Sequence, residues 1–359
     1  MAHKEKEAEE EAEEENNASL EEPEPVTDAD LKAQGEKDTK PEHTEPNEDS
    51  AHAGQKRKDP PTDSSQSEAD TKAPRQGTRS SPRNTETTAS LKQLLKFLLS
   101  GSAMPYCFPA DELDDARSTA REYKSYSLTS PASFTPFEHL LCAHMLSKPL
   151  SHTLGMRSIR TLLNEPFSLT SPEAIISAGE QGVWDALEAA RTQHRQKTAS
   201  YIFRTAELYS DSETMFQLAE EANDGGPQGV IEHIKSTVPG LAVTGGEIFC
   251  RRIQCVDGWG GAVWPYADSK ALDAVRKVGI PVDDAEQLRA MIVDEVHRNK
   301  QLGDMGLHER QLNDAQLVEE QADAQIQVAL VVALERALGC VLEGKVAELQ
   351  AAAANAVVA

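Results

Sequence analysis

The sequence predicts an all-α protein, and three observations carry that expectation. From Leu91 onward, apolar residues recur at three- and four-residue spacings, the period of a helix with one buried face. Proline, serine and glycine interrupt this pattern at places suited to helix starts and stops. No segment alternates apolar and polar residues with period two for long enough to read as a strand.

The helical pattern does not begin at residue 1. Residues 1–89 lack Ile, Phe and Trp and are dominated by Glu, Lys, Pro, Ser, Thr and Asp. Such a stretch buries too little apolar surface to offset the entropy of ordering it, so a disordered acidic and polar tail is expected there. A helical domain is expected over 90–280, followed by a C-terminal helical extension over 281–359.

The first helix follows Ser90, a candidate N-cap, and carries Leu91, Leu94, Leu95, Leu98 and Leu99 up to Gly101. Thr135-Pro136 opens a second through Leu140, Leu141, Met145 and Leu146, with Pro in the first turn. A third runs through Met156, Ile159, Leu162 and Leu163, and Ser171-Pro172 starts another with Ile175 and Ile176. Further helices are expected from Gly182, from about Gln193 to Tyr209, and from Pro227 to Ser236 after the breaker Asn223-Asp224-Gly225-Gly226. After the tight Val238-Pro239-Gly240-Leu241-Ala242 comes a helix over Val243–Ile253, and another opens at Asp268. Beyond Pro281 the chain is helical again through Ala285, Leu288, Met291 and Ile292. It ends in an Ala-rich segment from Leu317 to Val358, read as a partner helix or a frayed end.

Composition restricts the function classes. The longest apolar run near the end, Val328 to Leu334, is short of the about 20 residues that span a bilayer, so no membrane partner is expected. Five cysteines, Cys107, Cys142, Cys250, Cys255 and Cys340, are an odd number without framework spacing, which favours a reducing intracellular compartment. A net charge of −24 opposes nucleic-acid binding, which is driven by Lys and Arg. Half of that charge lies in the first 90 residues, however, and the stretch 135–279 is only weakly acidic. Within the tail, Lys56-Arg57-Lys58 is followed by Lys72, Arg75, Arg79 and Arg83, a split basic cluster that an acidic nuclear import receptor can grip.

The turn at Val238–Ala242 holds the functional signal. A short Gly-containing loop entering a helix leaves first-turn amides unpaired, and with the helix dipole they form an anion cradle that suits a phosphate. Val238-Pro239-Gly240-Leu241-Ala242 resembles the Leu-Pro-Gly-Val-Gly hairpin of the helix-hairpin-helix DNA glycosylase superfamily, endonuclease III-like and divergent. Trp264-Pro265-Tyr266-Ala267-Asp268-Ser269 resembles the stretch in which that family's catalytic Asp opens the next helix. The segment from Phe137 to Ser147 is similar to its opening helix, which ends in a Leu-Ser pair. The likeness covers about Phe137 to Gly279 in the family's linear order. Ala242 replaces the second hairpin glycine, and the connection from Gly240 to Asp268 is longer than usual.

The resemblance implies a two-lobed helical fold in which elements from both ends of the chain form the second lobe, Leu91–Leu99 with Leu288–Ile292 being candidates. It implies double-stranded DNA as partner, a nuclear location, and hydrolysis of the N-glycosidic bond of a damaged or mismatched base. Asp268 would be the catalytic carboxylate, and Pro239, Gly240, Leu241, Ala242, Thr244 and Gly245 the DNA-binding hairpin. Thr244 stands where strand-nicking relatives carry a nucleophilic lysine, so base removal without strand cleavage is expected. Trp259, Trp264 and Tyr266 are candidates for the base pocket, since an extruded base needs an aromatic platform. Arg251 and Arg252 read as a solvated helix face. Only Cys340 lies beyond Asp268, so the four-cysteine iron–sulfur cluster of some relatives is not expected, and neither a metal nor another cofactor is called for. The alternative is a catalytically inactive glycosylase-fold protein that binds DNA or another protein.

Overall fold

The computed structural model describes residues 89–118, 123–128, 130–298 and 315–356. The expected tail, its Lys56-Arg57-Lys58 cluster and the polar stretch 299–314 lie outside the described residues. Among the described residues every regular element is helical, in agreement with an all-α chain. In order they are α1 (Leu91–Leu99), α2 (Met104–Cys107), α3 (Ala110–Ser118), α4 (Pro136–Leu146), α5 (His152–Leu163), α6 (Pro172–Ala189) and α7 (Arg195–Leu208). There follow α8 (Ser212–Thr237), α9 (Val243–Ile253), α10 (Gly260–Val263), α11 (Ser269–Val278), α12 (Ala285–Arg298), α13 (Ala315–Leu342) and α14 (Val346–Asn355).

The helix starts follow local chemistry. At α1 the Ser90 hydroxyl accepts from the Gln93 amide while Gln93 Oε1 accepts from the Ser90 amide, a reciprocal cap. Thr135 and Glu138 repeat the device at α4, with Pro136 in the position where a missing N–H goes unnoticed. Two long helices carry breaks: α6 spans what reads in sequence as two helices, and α8 extends the expected Pro227–Ser236 helix back to Ser212. α6 turns at Gly179 (φ 71°), and α8 turns at Gly226 (φ 58°), directly before Pro227. The breaker residues therefore kink the chain without inserting a loop.

Buried side chains form two separate cores. The first lobe runs from Tyr126 to Val263 and is centred on α4, in which every residue from Phe137 to Met145 is buried. A helix apolar on all sides belongs at the centre of its lobe. The second lobe joins Leu94, Leu98 and Phe108, from the first described helices, to Val275, Leu288, Leu330 and Leu349. Arg336 donates to the Leu98 and Ser100 carbonyls at 2.9 and 2.8 Å, and Gln350 to the Val278 carbonyl at 2.9 Å, tying α13 and α14 to both α1 and α11.

Over its described residues the Ala-rich C-terminal segment packs into this second lobe. It is two helices, parted by Gly344 (φ 70°), and α13 is the helix around which the second lobe packs. The stretch Asp323–Leu342 is long and apolar enough to cross a membrane, with mean hydropathy 1.6, but 72% of it is buried inside this lobe. A core helix meets the same compositional test, and the shorter run Val328–Leu334 understates how apolar the segment is. What reads in sequence as an extension after residue 280 shares one core with α1, α2 and α11.

Candidate functional site

The turn between α8 and α9 is a helical hairpin. α8 ends at Thr237, Gly240 takes a left-handed φ of 76°, and Ala242 is extended before α9 begins. Two glycines let the helices close up. A Cβ on Gly246 would lie 2.9 Å from Ile231 Cα of α8, and one on Gly245 would lie 2.8 Å from the Leu241 side chain. Ala242 offers no side-chain cap, and the Gly245 and Gly246 amides return to its carbonyl at 2.8 and 3.1 Å. Gly245 is therefore not an open donor as the sequence suggests. The amides of Val243 and Thr244 are the ones without a protein partner among the described residues.

Gly240 rests against the Tyr201 ring, whose Cδ2 would be 2.1 Å from an added Cβ. Lys148 pins the turn by donating to the Gly240 carbonyl at 3.1 Å. Gly240→Ala is expected to destabilise the fold by about 1–3 kcal/mol through overpacking against the Tyr201 ring, read as a lower denaturation midpoint. Gly258→Ala is the control, since Gly258 has a similar φ of 86° but open space around its Cβ. A loss no larger than the control's would mean that backbone strain alone fixes the glycine.

Beside the hairpin lies an open groove of about 880 Å³, walled by Lys148, Trp184, His194, Arg195, Lys197 and Tyr201. Its cations sit on its rings. Lys148 and Lys197 are 5.1 and 5.6 Å from the Tyr201 centroid, and Arg195 is 5.5 Å from that of Trp184. Partial burial, and after it the neighbouring Lys197, pull the Lys148 ammonium below the usual lysine range. α7 starts at Arg195, so its first-turn amides open onto the same groove. An acidic chain thus presents one locally basic, aromatic face, adjoining the hairpin.

A second hollow, of about 200 Å³, lies where the lobes meet. Met145, Met156 and Ile248 wall it from the first lobe, Phe108 and Leu338 from the second, and both Asp268 and Thr244 line it. Drug-sized pockets run to about 300–1,000 Å³, so this one, at about 200 Å³, suits a smaller group.

Asp268 is the N-cap of α11, as its position before Ser269 suggests. Its Oδ1 accepts from the Lys270 and Ala271 amides, each at 3.1 Å. Its Oδ2 accepts from Arg251 Nη1. Arg251 Nε donates to Glu335 Oε1 at 2.6 Å, and Arg252 reaches Glu335 Oε2 at 3.4 Å while lying 3.5 Å over the Tyr126 ring. Burial alone would raise the Glu335 carboxyl, but Arg251 and Arg252 together hold it below the usual carboxylate range.

This network corrects the reading of Arg251 and Arg252 as a solvated face, since only 3% and 1% of them is exposed. α9 packs against α4 and α8, and Glu335 of α13 closes over the two arginines, so its last turn has no face left for water. A signal was present. Arginines in the apolar run Ile248–Ile253, and Glu335 inside the apolar α13, are charges that such helices carry only when paired.

The aromatic candidates are also corrected. Trp259 is buried in the first core, edge-on to Phe249 at 5.5 Å, because the Gly-rich loop coils into α10 and turns the indole inward. Trp264 packs on the second core and Tyr266 on the first, and neither lines the hollow beside Asp268. The rings that do are Phe108, Tyr126 and His152, which come from segments far from Asp268 in sequence. Of the hairpin residues, Thr244 reaches the hollow, Gly240 faces the groove and Leu241 is buried beneath the turn. The five cysteines are free and buried. No group of three His, Cys, Asp or Glu side chains stands ready for a metal among the described residues.

Fold and site together define a two-lobed helical protein with a hairpin beside a basic groove and a carboxylate in the wall of the interlobe hollow. No family model, curated protein or solved structure matches the chain.

Proposed function

We propose that this protein binds duplex DNA through the hairpin and its adjoining groove, and removes a damaged or mismatched base by hydrolysis, with Asp268 as the carboxylate that faces the sugar. The observation that supports this best is the convergence of Asp268 and Thr244 on one hollow. The first turn of the hairpin helix carries open amides for a phosphate, and the carboxylate lies where a base swung out of the stack would enter. As the glycosidic bond breaks, positive charge grows on the sugar, and a fixed carboxylate stabilises it or orients water. Thr244 supplies no amine at the start of the hairpin helix, so base removal without strand cleavage is the activity proposed. The Lys56-Arg57-Lys58 cluster would deliver such an enzyme to the nucleus.

The test is incubation of the full chain with duplexes carrying a panel of lesions, followed by hot alkali to cut at abasic sites. Cleavage only after alkali supports the reading, and an absence of abasic sites across the panel contradicts it. Binding is tested separately. Arg195→Ala and Lys197→Ala are each expected to weaken duplex binding irrespective of sequence and to lower the slope of log K against log salt by about 1. An unchanged slope would remove the groove from the interface.

One observation favours a second reading, a glycosylase-like fold used only to bind. Both Asp268 oxygens are already engaged, one by the helix it caps and one by Arg251. Duplex binding without base release on any lesion would establish that reading.

A further inference from the structure

Among the ionisable groups that line the interlobe hollow, His152 is the one histidine. His152, the first residue of α5, lines it together with Asp268. Its Nδ1 meets Glu343 Oε1 at 2.7 Å, joining the start of α5 to the turn after α13 across 191 residues of sequence. Only 6% and 15% of the two side chains is exposed. Nε2 has no protein partner among the described residues. The ring is held from two further sides. Phe108 lies 6.4 Å away, centroid to centroid, and α13 approaches at Gly339, where an added Cβ would be 3.4 Å from His152 Cε1 and 2.1 Å from the Cys107 carbonyl. A glycine is thus needed where α13 meets the Cys107 carbonyl, beside this histidine.

We infer that His152, oriented by Glu343, is the general acid that protonates the departing base, in the same hollow as the carboxylate of Asp268. The inference rests on the base-excision reading above and adds the proton donor that reading lacks. A neutral base is a poor leaving group because the electron pair of the C1′–N bond goes to it and leaves it anionic. A proton passed from Nε2 to a free ring nitrogen of a purine, or to a carbonyl oxygen of uracil, lets it depart neutral. A carboxylate on Nδ1 fixes which nitrogen faces the hollow. Water then bonds to C1′ and gives up one proton to Asp268, which releases it to solvent, while His152 regains one from solvent. One water is consumed, and the products are the free base and a sugar hydroxyl.

Alkylated purines such as 7-methylguanine already carry a positive charge and leave without protonation, so they separate proton donation from every other role. Single-turnover base release by the full chain and by His152→Gln is to be measured on duplexes containing uracil, hypoxanthine or 7-methylguanine. The expected result is a fall of about 10²-fold in the ratio of neutral to cationic base release in the variant. An unchanged ratio, whether both rates fall together or neither falls, overturns the assignment, since a merely structural histidine affects both classes alike. Release of 7-methylguanine alone by the wild type also overturns it, because no base then needs the proton. If the wild type releases none of these bases nor any in the wider panel, the base-excision reading itself fails and this assignment falls with it.

Discussion

Arg251→Leu is expected to lower the stability of the folded chain by about 3–5 kcal/mol, the usual consequence of leaving buried charges without their partner. Arg251 holds Asp268 with one nitrogen and Glu335 with another, so its loss leaves two carboxylates facing each other with Arg252, at 3.4 Å from Glu335, as the remaining cation. The pH dependence gives the effect its signature. In the wild type the folded-state pKa of Glu335 is depressed, so its contribution is complete above the ordinary carboxylate value and is lost as pH falls through the lowered folded value. Without Arg251, burial raises the carboxyl, and the folded variant takes up a proton that the unfolded chain does not. The gap between variant and wild type should therefore narrow on acidification. Urea denaturation at several pH values measures this, and a gap that is small or independent of pH would show the network to be solvated.

Asp268→Asn separates the two roles of that residue. Asparagine caps helices about as well as aspartate, so α11 should keep its start. Arg251 keeps its bond to Glu335, and the variant should lose only about 1.5–3 kcal/mol, the scale of one charged hydrogen bond. Base release, where the wild type shows it, should fall by about 10²–10³-fold, because a neutral amide cannot balance charge developing on the sugar. Duplex affinity should hold or rise slightly as one negative charge leaves the interface. Undiminished base release in a destabilised variant would reduce Asp268 to a strut between α9 and α11.

The parts of this organisation that are legible in sequence are those encoded within a few residues. Ser90-Leu91, Thr135-Pro136 and Asp268-Ser269 announce helix starts, and the hairpin and its Gly240 can be read from Val238–Ala242 alone. What depends on distant packing is not. Nothing local says that Trp259 turns inward or that His152 meets Glu343, and period analysis cannot distinguish a kinked helix from two helices at Gly179 or Gly226. Arg251 and Arg252 mislead because adjacent charges usually mark a wet face. Only their apolar neighbours and Glu335, far along the chain, indicate otherwise. Asp268 is legible as a cap but not as one end of a buried ion pair.

The return of the chain end to its beginning sets the order in which a ribosome can deliver a finished molecule. Everything in the first core, from Tyr126 to Val263, has been synthesised before α13 emerges, so that lobe can close while translation continues. α1 cannot. Its Leu98 carbonyl waits for Arg336, 238 residues later, and until then its apolar face has no α13 to cover it. Any pause in synthesis between α11 and α13 prolongs the exposure of Leu94, Leu95 and Leu98, which makes the nascent first helix the segment most in need of a holding chaperone.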